Sequence, residues 1–152
     1  MTATGTASGV VGGRPLALFL IGFPGSGKST WRAAALARVT RPTAVISTDD
    51  MIQAHAASEG LTYSQAWRAL PSHKLDSRAR ALLREAVEQG LDVIVDRTNL
   101  RASGRAKFLR ILPEAYERRA VVFVTPFELL RERLQRRAAA GGHGVGWGIV
   151  VT

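Results

Sequence analysis

Near its start the sequence contains a glycine-rich loop that carries a lysine and a serine, a pattern suited to binding a nucleotide. The stretch consists of Gly22, Phe23, Pro24, Gly25, Ser26, Gly27, Lys28, Ser29 and Thr30. Glycines let a backbone bend tightly and bring its N–H groups close to phosphate oxygens. Lys28 can reach the β- and γ-phosphates of a nucleotide, and the Ser29 hydroxyl can ligate Mg²⁺. The spacing predicts a phosphate-binding loop, with a chance Gly/Ser turn as the alternative.

The segments on either side of the loop fit this interpretation. Residues 16–21 form a continuous apolar run, as expected for a strand buried on both faces of a parallel sheet. Residues 31–38 are rich in helix formers. The loop would therefore open onto a helix N-terminus, whose free N–H groups attract anions.

Two acidic positions follow predicted strands. Asp49 and Asp50 come just after the β-rich run 43–47, and Asp96 ends the run 91–95. Ligands of open α/β sheets bind beyond the carboxyl ends of the strands. One carboxylate of the first pair could act as a general base or lie near a metal, the alternative being a helix N-cap at Thr48 or Asp49. Asp96 resembles the second acidic motif of P-loop NTPases, which helps to hold the metal or its waters.

An arginine-rich helix near the end of the chain supplies the last group of candidates. Arg133, Arg136 and Arg137 lie on neighbouring positions of one helix face. A guanidinium that reaches over the site could stabilise charge on a transferring phosphoryl group. The alternative is that these arginines are solvated surface charges.

Along the sequence, segments with a strand pattern alternate with segments with a helix pattern. We predict α/β architecture, with a parallel sheet and helices on both of its faces. A loop with a short helical piece, residues 59–70, is expected over the mouth of the site, where Tyr63 and Trp67 could stack a base or simply pack. The predicted strands are 16–21, 43–47, 91–95 and 120–124, and the predicted helices include 72–89, 103–112 and one that begins with a capping box at Thr125, Pro126 and Glu128.

Length and composition set the scale of the molecule. With 152 residues the chain is long enough for one domain, predicted to span 15–140 after a flexible lead at 1–14 and before a Gly-rich tail at 141–152 that could hold a short fifth strand. No apolar stretch is long enough for a membrane span, and no signal peptide is evident, so a cytoplasmic location is expected. The absence of cysteine excludes disulfides and thiolate metal sites.

The charge distribution bears on the partner. The net charge is +9, and residues 97–137 hold ten Arg and one Lys against four Glu. Such an excess suits a phosphate-rich partner such as nucleic acid. A soluble surface from an Arg-favouring genome remains the alternative.

From about Leu16 to Ala138 the chain resembles the 5′-kinase domain of phage-type polynucleotide kinase. The likeness is carried by the loop through Trp31, by the Asp49-Asp50 pair, by the arginine-rich last helix and by the block Asp96-Arg97-Thr98-Asn99-Leu100. The resemblance implies a P-loop kinase fold that uses ATP and Mg²⁺. Lys28 and Ser29 match the loop lysine and the metal-linked serine, and Asp96 would also serve the metal. Asp49 matches the general base that takes the proton from a 5′-hydroxyl.

Further along the chain, the same resemblance makes Arg137 the lid arginine that contacts the donor phosphates, with Arg133 one turn earlier. The chain also departs from the family pattern. Where the family has an arginine three residues after the catalytic aspartate, this sequence has Ile52, so Gln53 or another arginine would have to hold the nucleic-acid phosphate.

The implied activity is ATP-dependent phosphorylation of the 5′-hydroxyl end of DNA or RNA. One alternative keeps the chemistry and changes the acceptor to the hydroxyl of a small molecule. Another is a nucleotide-binding module without transferase activity.

Overall fold

The computed structural model describes residues 13–140, so the tail and most of the lead, with the predicted fifth strand, lie outside the described residues. The described strands are β1 (Leu16–Ile21), β2 (Thr43–Ser47), β3 (Asp92–Asp96) and β4 (Glu117–Val122). The helices are α1 (Lys28–Leu36), α2 (Thr48–Glu59), α3 (Tyr63–Ala69), α4 (Ser72–Glu88), α5 (Ala102–Leu109) and α6 (Phe127–Ala139).

The four strands form one parallel sheet in the order β2-β3-β1-β4, flanked by helices, which confirms the predicted fold class. In the register of the central strands, Leu20 of β1 pairs with Asp96 of β3, and Asp96 in turn pairs with Ser47 of β2. Parallel strands aligned in this way end at one edge of the sheet. The residues that follow β1, β2 and β3 are therefore brought together.

The main core lies between the sheet and helices α4 and α5. Ala79, Leu83 and Ala86 recur at spacings of four and three, so they form one buried stripe along α4. Phe108 of α5 is fully buried in the same cluster. This packing fixes α4 and α5 against the strands whose ends carry the acidic residues.

A second, smaller cluster joins α2 to α3. It contains Ile52, which is fully buried, together with Ala56 and Ala66. A charged side chain at position 52 would lose its solvation here without a partner. Ile52 thus serves packing, and the contact that the resemblance assigns to this position has to come from elsewhere.

Some predicted boundaries differ from the structure for identifiable reasons. β4 begins at Glu117 and ends at Val122, instead of spanning 120–124, because an edge strand tolerates the charged side chains at its start. The prediction of a capping box at the start of the last helix was wrong. Helix α6 begins at Phe127, and its N-cap is Pro126, which makes no side-chain hydrogen bond. The Thr125 hydroxyl donates instead to the Ser26 carbonyl at 3.3 Å.

The predicted cap of α2 was also misplaced. The N-cap is Ser47, whose hydroxyl oxygen accepts from the Asp50 N–H at 3.2 Å. Thr48 and Asp49 are therefore in the first helical turn and are not capping residues. This leaves the Asp49 carboxylate available for other contacts.

None of the helices between residues 13 and 140 is both long enough and apolar enough to span a membrane.

Candidate active site

The loop between β1 and α1 is compact because its glycines meet specific steric demands. At Gly22 a Cβ atom would lie 2.7 Å from Ser26 Oγ and 2.9 Å from Phe123 Cβ, so a side chain would not fit. Gly27, the N-cap of α1, has φ of 99°, a left-handed conformation that favours glycine. The loop thus delivers the chain directly onto the N-terminus of α1, where unpaired N–H groups can meet an anion.

Lys28 folds back across this loop. Its Nζ donates to the carbonyls of Gly22 at 2.8 Å and Phe23 at 2.9 Å. Burial lowers the pKa of the ammonium, while the nearby carboxylates of Asp96 and Asp49 act in the opposite direction. The cation is therefore held at the centre of the loop, close to both acidic positions predicted from the sequence.

One pocket of about 300 Å³ gathers most of the predicted site. It brings together Lys28, Ser29, Asp49, Asp96 and Arg137, which come from four separate parts of the chain: the start of α1, the start of α2, the end of β3 and α6. The pocket is lined by Pro24, Gly25, Lys28, Ser29, Thr48, Asp49, Tyr63, Trp67, Asp96, Arg97, Thr98 and Arg137. A glycine-rich loop, two carboxylates and two arginines therefore line a single space.

The two adjacent aspartates have separate partners. The Tyr63 hydroxyl donates to Asp49 Oδ1 inside the pocket. Asp50 lies outside the pocket lining, and its Oδ2 is 3.1 Å from Arg32 NH1. Of the pair, Asp49 alone is placed to contact a molecule in the pocket.

Asp96 is nearly buried, with 8% of its surface exposed. Burial raises the pKa of its carboxyl, and the charges of Arg32 and Lys28 oppose that shift. Arg32 NH1 donates to Asp96 Oδ2 at 2.7 Å. Arg32 was not predicted as a site residue, although it lies one helical turn after Lys28 and thus on the same face of α1.

The segment that follows β3 is anchored to the phosphate-binding loop. Asn99, with φ of 51°, donates from its buried amide to the carbonyls of Leu20 at 2.8 Å and Val95 at 3.1 Å. The Gly22 N–H donates to the Thr98 carbonyl at 3.1 Å. These bonds tie the ends of β1 and β3 together, so the Asp96 block helps to shape the loop as well as the pocket.

Helix α6 closes one side of the site. Arg133 NH1 donates to the Gly25 carbonyl at 3.1 Å, and Arg137, one turn later, lines the pocket. Leu134, buried between them, packs close to Gly25. Arg133 therefore holds the helix to the loop, and Arg137 is the arginine of α6 that lines the pocket.

The other predicted loop residues contribute through the backbone. The Phe23 carbonyl accepts from Lys28, and the Ser26 N–H also donates to it at 3.1 Å. Ser26 Oγ is buried without a hydrogen-bond partner in the described part of the chain. Thr30 is exposed on α1 and does not line the pocket.

The oxygen donors in the pocket fit a magnesium ion that arrives with a nucleotide. Within residues 13–140 there is no group of three or more His, Cys, Asp or Glu that could hold a metal alone. Mg²⁺ prefers oxygen ligands and is usually held by one or two carboxylates together with substrate phosphates. Ser29 and Asp96, which line the same pocket, supply a hydroxyl and a carboxylate of this kind.

Comparison with known proteins places this geometry in a family. A family model described as an AAA domain matches residues 18–146. No curated protein matches the sequence significantly.

Solved structures share the fold at low sequence identity. A chain of the Pnkp1/Rnl/Hen1 complex has a TM-score of 0.62 and 23% identity over 78% of this chain, and a chain of the Pnkp1/Rnl/Hen1 RNA repair complex has a TM-score of 0.68 and 20% identity over 90%. This chain spans only 38% and 42% of their respective lengths.

Two smaller proteins are covered more fully. A kinase-like protein from Chloroflexus aurantiacus gives a TM-score of 0.66 and 18% identity, with 84% of this chain and 69% of that chain covered. A gluconokinase from Sinorhizobium meliloti gives a TM-score of 0.55 and 20% identity, with 90% and 71% covered. With its parallel sheet, its phosphate-binding loop and this family match, the chain belongs to the AAA domain family and has the fold of the P-loop kinases.

Proposed function

We propose that this protein is an ATP-dependent kinase that transfers the γ-phosphoryl group to the 5′-hydroxyl end of DNA or RNA. The observation that carries the proposal is the presence of Asp49 in the same pocket as Lys28 and Ser29. A phosphate-binding loop alone would serve any nucleotide-binding module. A carboxylate facing the same space adds a group that can accept the proton of an alcohol.

The transfer step uses the residues as the pocket presents them. Asp49 orients the acceptor hydroxyl and takes its proton as the acceptor oxygen bonds to the γ-phosphorus. The bond between that phosphorus and the bridging oxygen breaks, and its electron pair leaves on ADP. Charge spreads over the oxygens of the transferring group, where Lys28 and Arg137 can stabilise it.

Magnesium, when bound with ATP, would neutralise charge on the β- and γ-phosphate oxygens. Ser29 and Asp96 are the residues that would hold it. Burial raises the pKa of Asp96, and the ion pair with Arg32 opposes that rise. Arg32 therefore favours the ionised form of this carboxyl, which is the form that binds a metal, and orients it.

Three observations support a nucleic acid as the acceptor. The excess of cations in residues 97–137 favours a polyanion. Tyr63 and Trp67 stack with ring centroids 6.5 Å apart at the wall of the pocket, and Trp67 is 45% exposed, which provides an aromatic surface for a base. Chains of the Pnkp1/Rnl/Hen1 complex, which is described as an RNA repair complex, share the fold of this protein.

A kinase for the hydroxyl of a small molecule is the second candidate. A pocket of about 300 Å³ is of the size that holds a small ligand, and the gluconokinase shares the fold. The difference between the two candidates is the acceptor and not the chemistry.

The acceptor can be identified by following the phosphoryl group. The protein is incubated with Mg²⁺ and ATP labelled on the γ-phosphate, together with 5′-hydroxyl DNA, 5′-hydroxyl RNA and a panel of small alcohols and sugars. Label on an oligonucleotide, absent when its 5′ end already carries a phosphate, is the expected result. Label on a sugar alone would establish the second candidate, and tight ATP binding without any transfer would establish a nucleotide-binding module.

A further inference from the structure

A second concave surface, outside the candidate active site, is lined almost entirely by cations. It lies between α4 and α5, has a volume of about 450 Å³ and contains no acidic residue in its lining. We call it the basic groove, and it is formed by Arg80, Arg84, Lys107, Arg110 and Ile111. Neither the phosphate-binding loop nor Asp49 contributes to it.

The fold explains why these side chains share one surface. Arg80 and Arg84 are four residues apart on α4, so they lie one above the other on the same helix face. Lys107 and Arg110 are three apart, at the last turn and the C-cap of α5. The two helices pack in one core, and the cations along their outer edges consequently face a common space.

The positive charge of the basic groove is only partly balanced. Asp76 Oδ2 lies 3.4 Å from Arg80 Nε and 3.7 Å from Lys107 Nζ, so these two cations share one carboxylate. Among residues 13–140, the side chains of Arg84 and Arg110 have no carboxylate partner and donate no hydrogen bond. Two guanidinium groups are thus left for an anion, and the planar fork of each suits phosphate oxygens.

The basic groove is joined to the candidate active site through Asp76. The other oxygen of Asp76 accepts from Arg97 NH1 at 2.9 Å, and Arg97 lines the active-site pocket. One carboxylate therefore contacts cations of both surfaces, which places the basic groove immediately beside the pocket. A chain of phosphates that leaves the pocket past Arg97 would meet Arg80 and Lys107 first. It would then meet Arg84 and Arg110, about one turn further along the two helices.

We propose that the basic groove binds internal backbone phosphates of the nucleic-acid strand whose 5′ end occupies the active-site pocket. The inference rests on the proposed function and specifies how that substrate is held. It also accounts for Ile52, because a strand held by Arg84 and Arg110 does not depend on an arginine at that buried position. A linear polyanion can occupy pocket and groove together, whereas a small sugar can occupy only the pocket.

The test compares acceptors of different length in a variant that leaves the pocket intact. The double variant Arg84→Ala with Arg110→Ala removes both unbalanced guanidinium groups. The matched control, Arg38→Ala with Arg119→Ala, removes two exposed arginines that do not line the groove. Transfer is measured with a single-stranded 5′-hydroxyl DNA of about eight nucleotides, in the range that a single-strand binding site covers, and with a 5′-hydroxyl nucleoside 3′-monophosphate.

The groove variant should lose about tenfold or more in kcat/KM on the oligonucleotide and keep its activity on the monophosphate acceptor. Oligonucleotide binding, followed by fluorescence anisotropy, should also become less sensitive to salt. The slope of log K against log salt should be shallower by about 1.4, since each phosphate contact on a single strand contributes roughly 0.7. The control pair should match the wild type on both acceptors.

Each other result has a distinct meaning. If the groove variant and the wild type are equally active on the oligonucleotide, the basic groove does not bind the strand, and the proposed kinase activity is unaffected. An equal loss on both acceptors, or the same loss in the control pair, also contradicts binding of the strand by the basic groove. If the wild type phosphorylates no oligonucleotide and binds none, the proposed function fails and takes this inference with it.

Discussion

Tyr63 controls how the Asp49 carboxylate is presented to the pocket. Its hydroxyl donates to Oδ1 of Asp49, which leaves Oδ2 for an acceptor hydroxyl. Burial, and then the hydrogen bond to Asp49, raise the pKa of the Tyr63 hydroxyl, so this group remains a neutral donor throughout the physiological range. We therefore interpret Tyr63 as a positioning residue that holds the proposed general base in one orientation.

Replacing Tyr63 with Phe tests this interpretation. We expect kcat/KM for the acceptor to fall by about tenfold or more, since a hydrogen bond to a charged group contributes roughly 1.5–3 kcal/mol. Binding of ATP, measured by calorimetry, should not change. Ser64→Ala, at an exposed neighbouring position in α3, is the control and should have no effect. A Tyr63→Phe enzyme with wild-type kinetics would mean that Asp49 is positioned without Tyr63.

Individual residues also show how far sequence alone can predict the site. Lys28, Ser29, Asp49 and Asp96 could be placed together because the ends of parallel strands meet at one edge of a sheet. The residues that contact these side chains could not be predicted from the sequence. Arg32 pairs with Asp96 across 64 positions of sequence, and the Tyr63 contact depends on how α3 packs against α2, which no local pattern specifies.

At the level of elements, Asp76 joins α4 to α5 and to the segment after β3. It contacts Arg80 on its own helix, Lys107 on α5 and Arg97 just beyond β3. Arg97 also lies over the ring of Phe108, with its guanidinium carbon 4.9 Å from the ring centroid. The ion network thus fixes the relative position of the pocket wall and the basic groove.

Asp76 should make stability depend on pH in a defined direction. Desolvation alone would raise the pKa of its carboxyl, but the hydrogen bond and charge of Arg97, with Lys107 and Arg80, lower it below 3.8. A carboxyl whose pKa is depressed on folding stabilises the protein above its unfolded pKa, and the contribution is lost as the pH falls through the folded-state value. The stabilisation is therefore complete at neutral pH.

Asp76→Asn removes this contribution. At neutral pH we expect the free energy of unfolding to fall by about 1.5–3 kcal/mol, the range for hydrogen bonds to charged groups. The difference from wild type should shrink as the pH is lowered below 3.8, where the wild-type carboxyl takes up its own proton. Urea unfolding of both proteins at several pH values measures this. A difference that stays constant over the whole acidic range would show that the charge of Asp76 is not responsible.

Elements were predicted more reliably than their ends. β1 matches its predicted apolar run because it lies between β3 and β4, and a strand inside a sheet needs continuous apolar sequence. β2 also matches, although it lies at one edge of the sheet, because its residues 43–47 carry no charged side chain. β4 lies at the other edge, where one side is open, so its charged first residues gave no strand signal. The start of α6 was mispredicted because the Thr125 hydroxyl contacts the phosphate-binding loop, a tertiary interaction that outcompetes the local capping pattern.

For the molecule as a whole, the fold determines where the positive charges of the basic segment 97–137 lie. Arg97 at the pocket wall, Lys107 and Arg110 in the basic groove and Arg137 on α6 all come from the strongly basic segment 97–137. Arg97 and Arg137 line the pocket, and the basic groove with Lys107 and Arg110 is joined to Arg97 through Asp76. The sequence predicted the excess of charge, and the fold distributes part of it between the active-site pocket and the basic groove.

The proposed activity depends on Asp49 accepting the proton of an alcohol next to a bound triphosphate. It is tested most directly by single-turnover transfer from Mg·ATP to a 5′-hydroxyl oligonucleotide with Asp49→Asn, alongside Asp50→Asn, whose carboxylate pairs with Arg32 outside the pocket. Asp49→Asn should lower the transfer rate by about 10²–10⁴ while ATP binds as in the wild type, and Asp50→Asn should retain most of the activity. Undiminished transfer by Asp49→Asn would contradict the account.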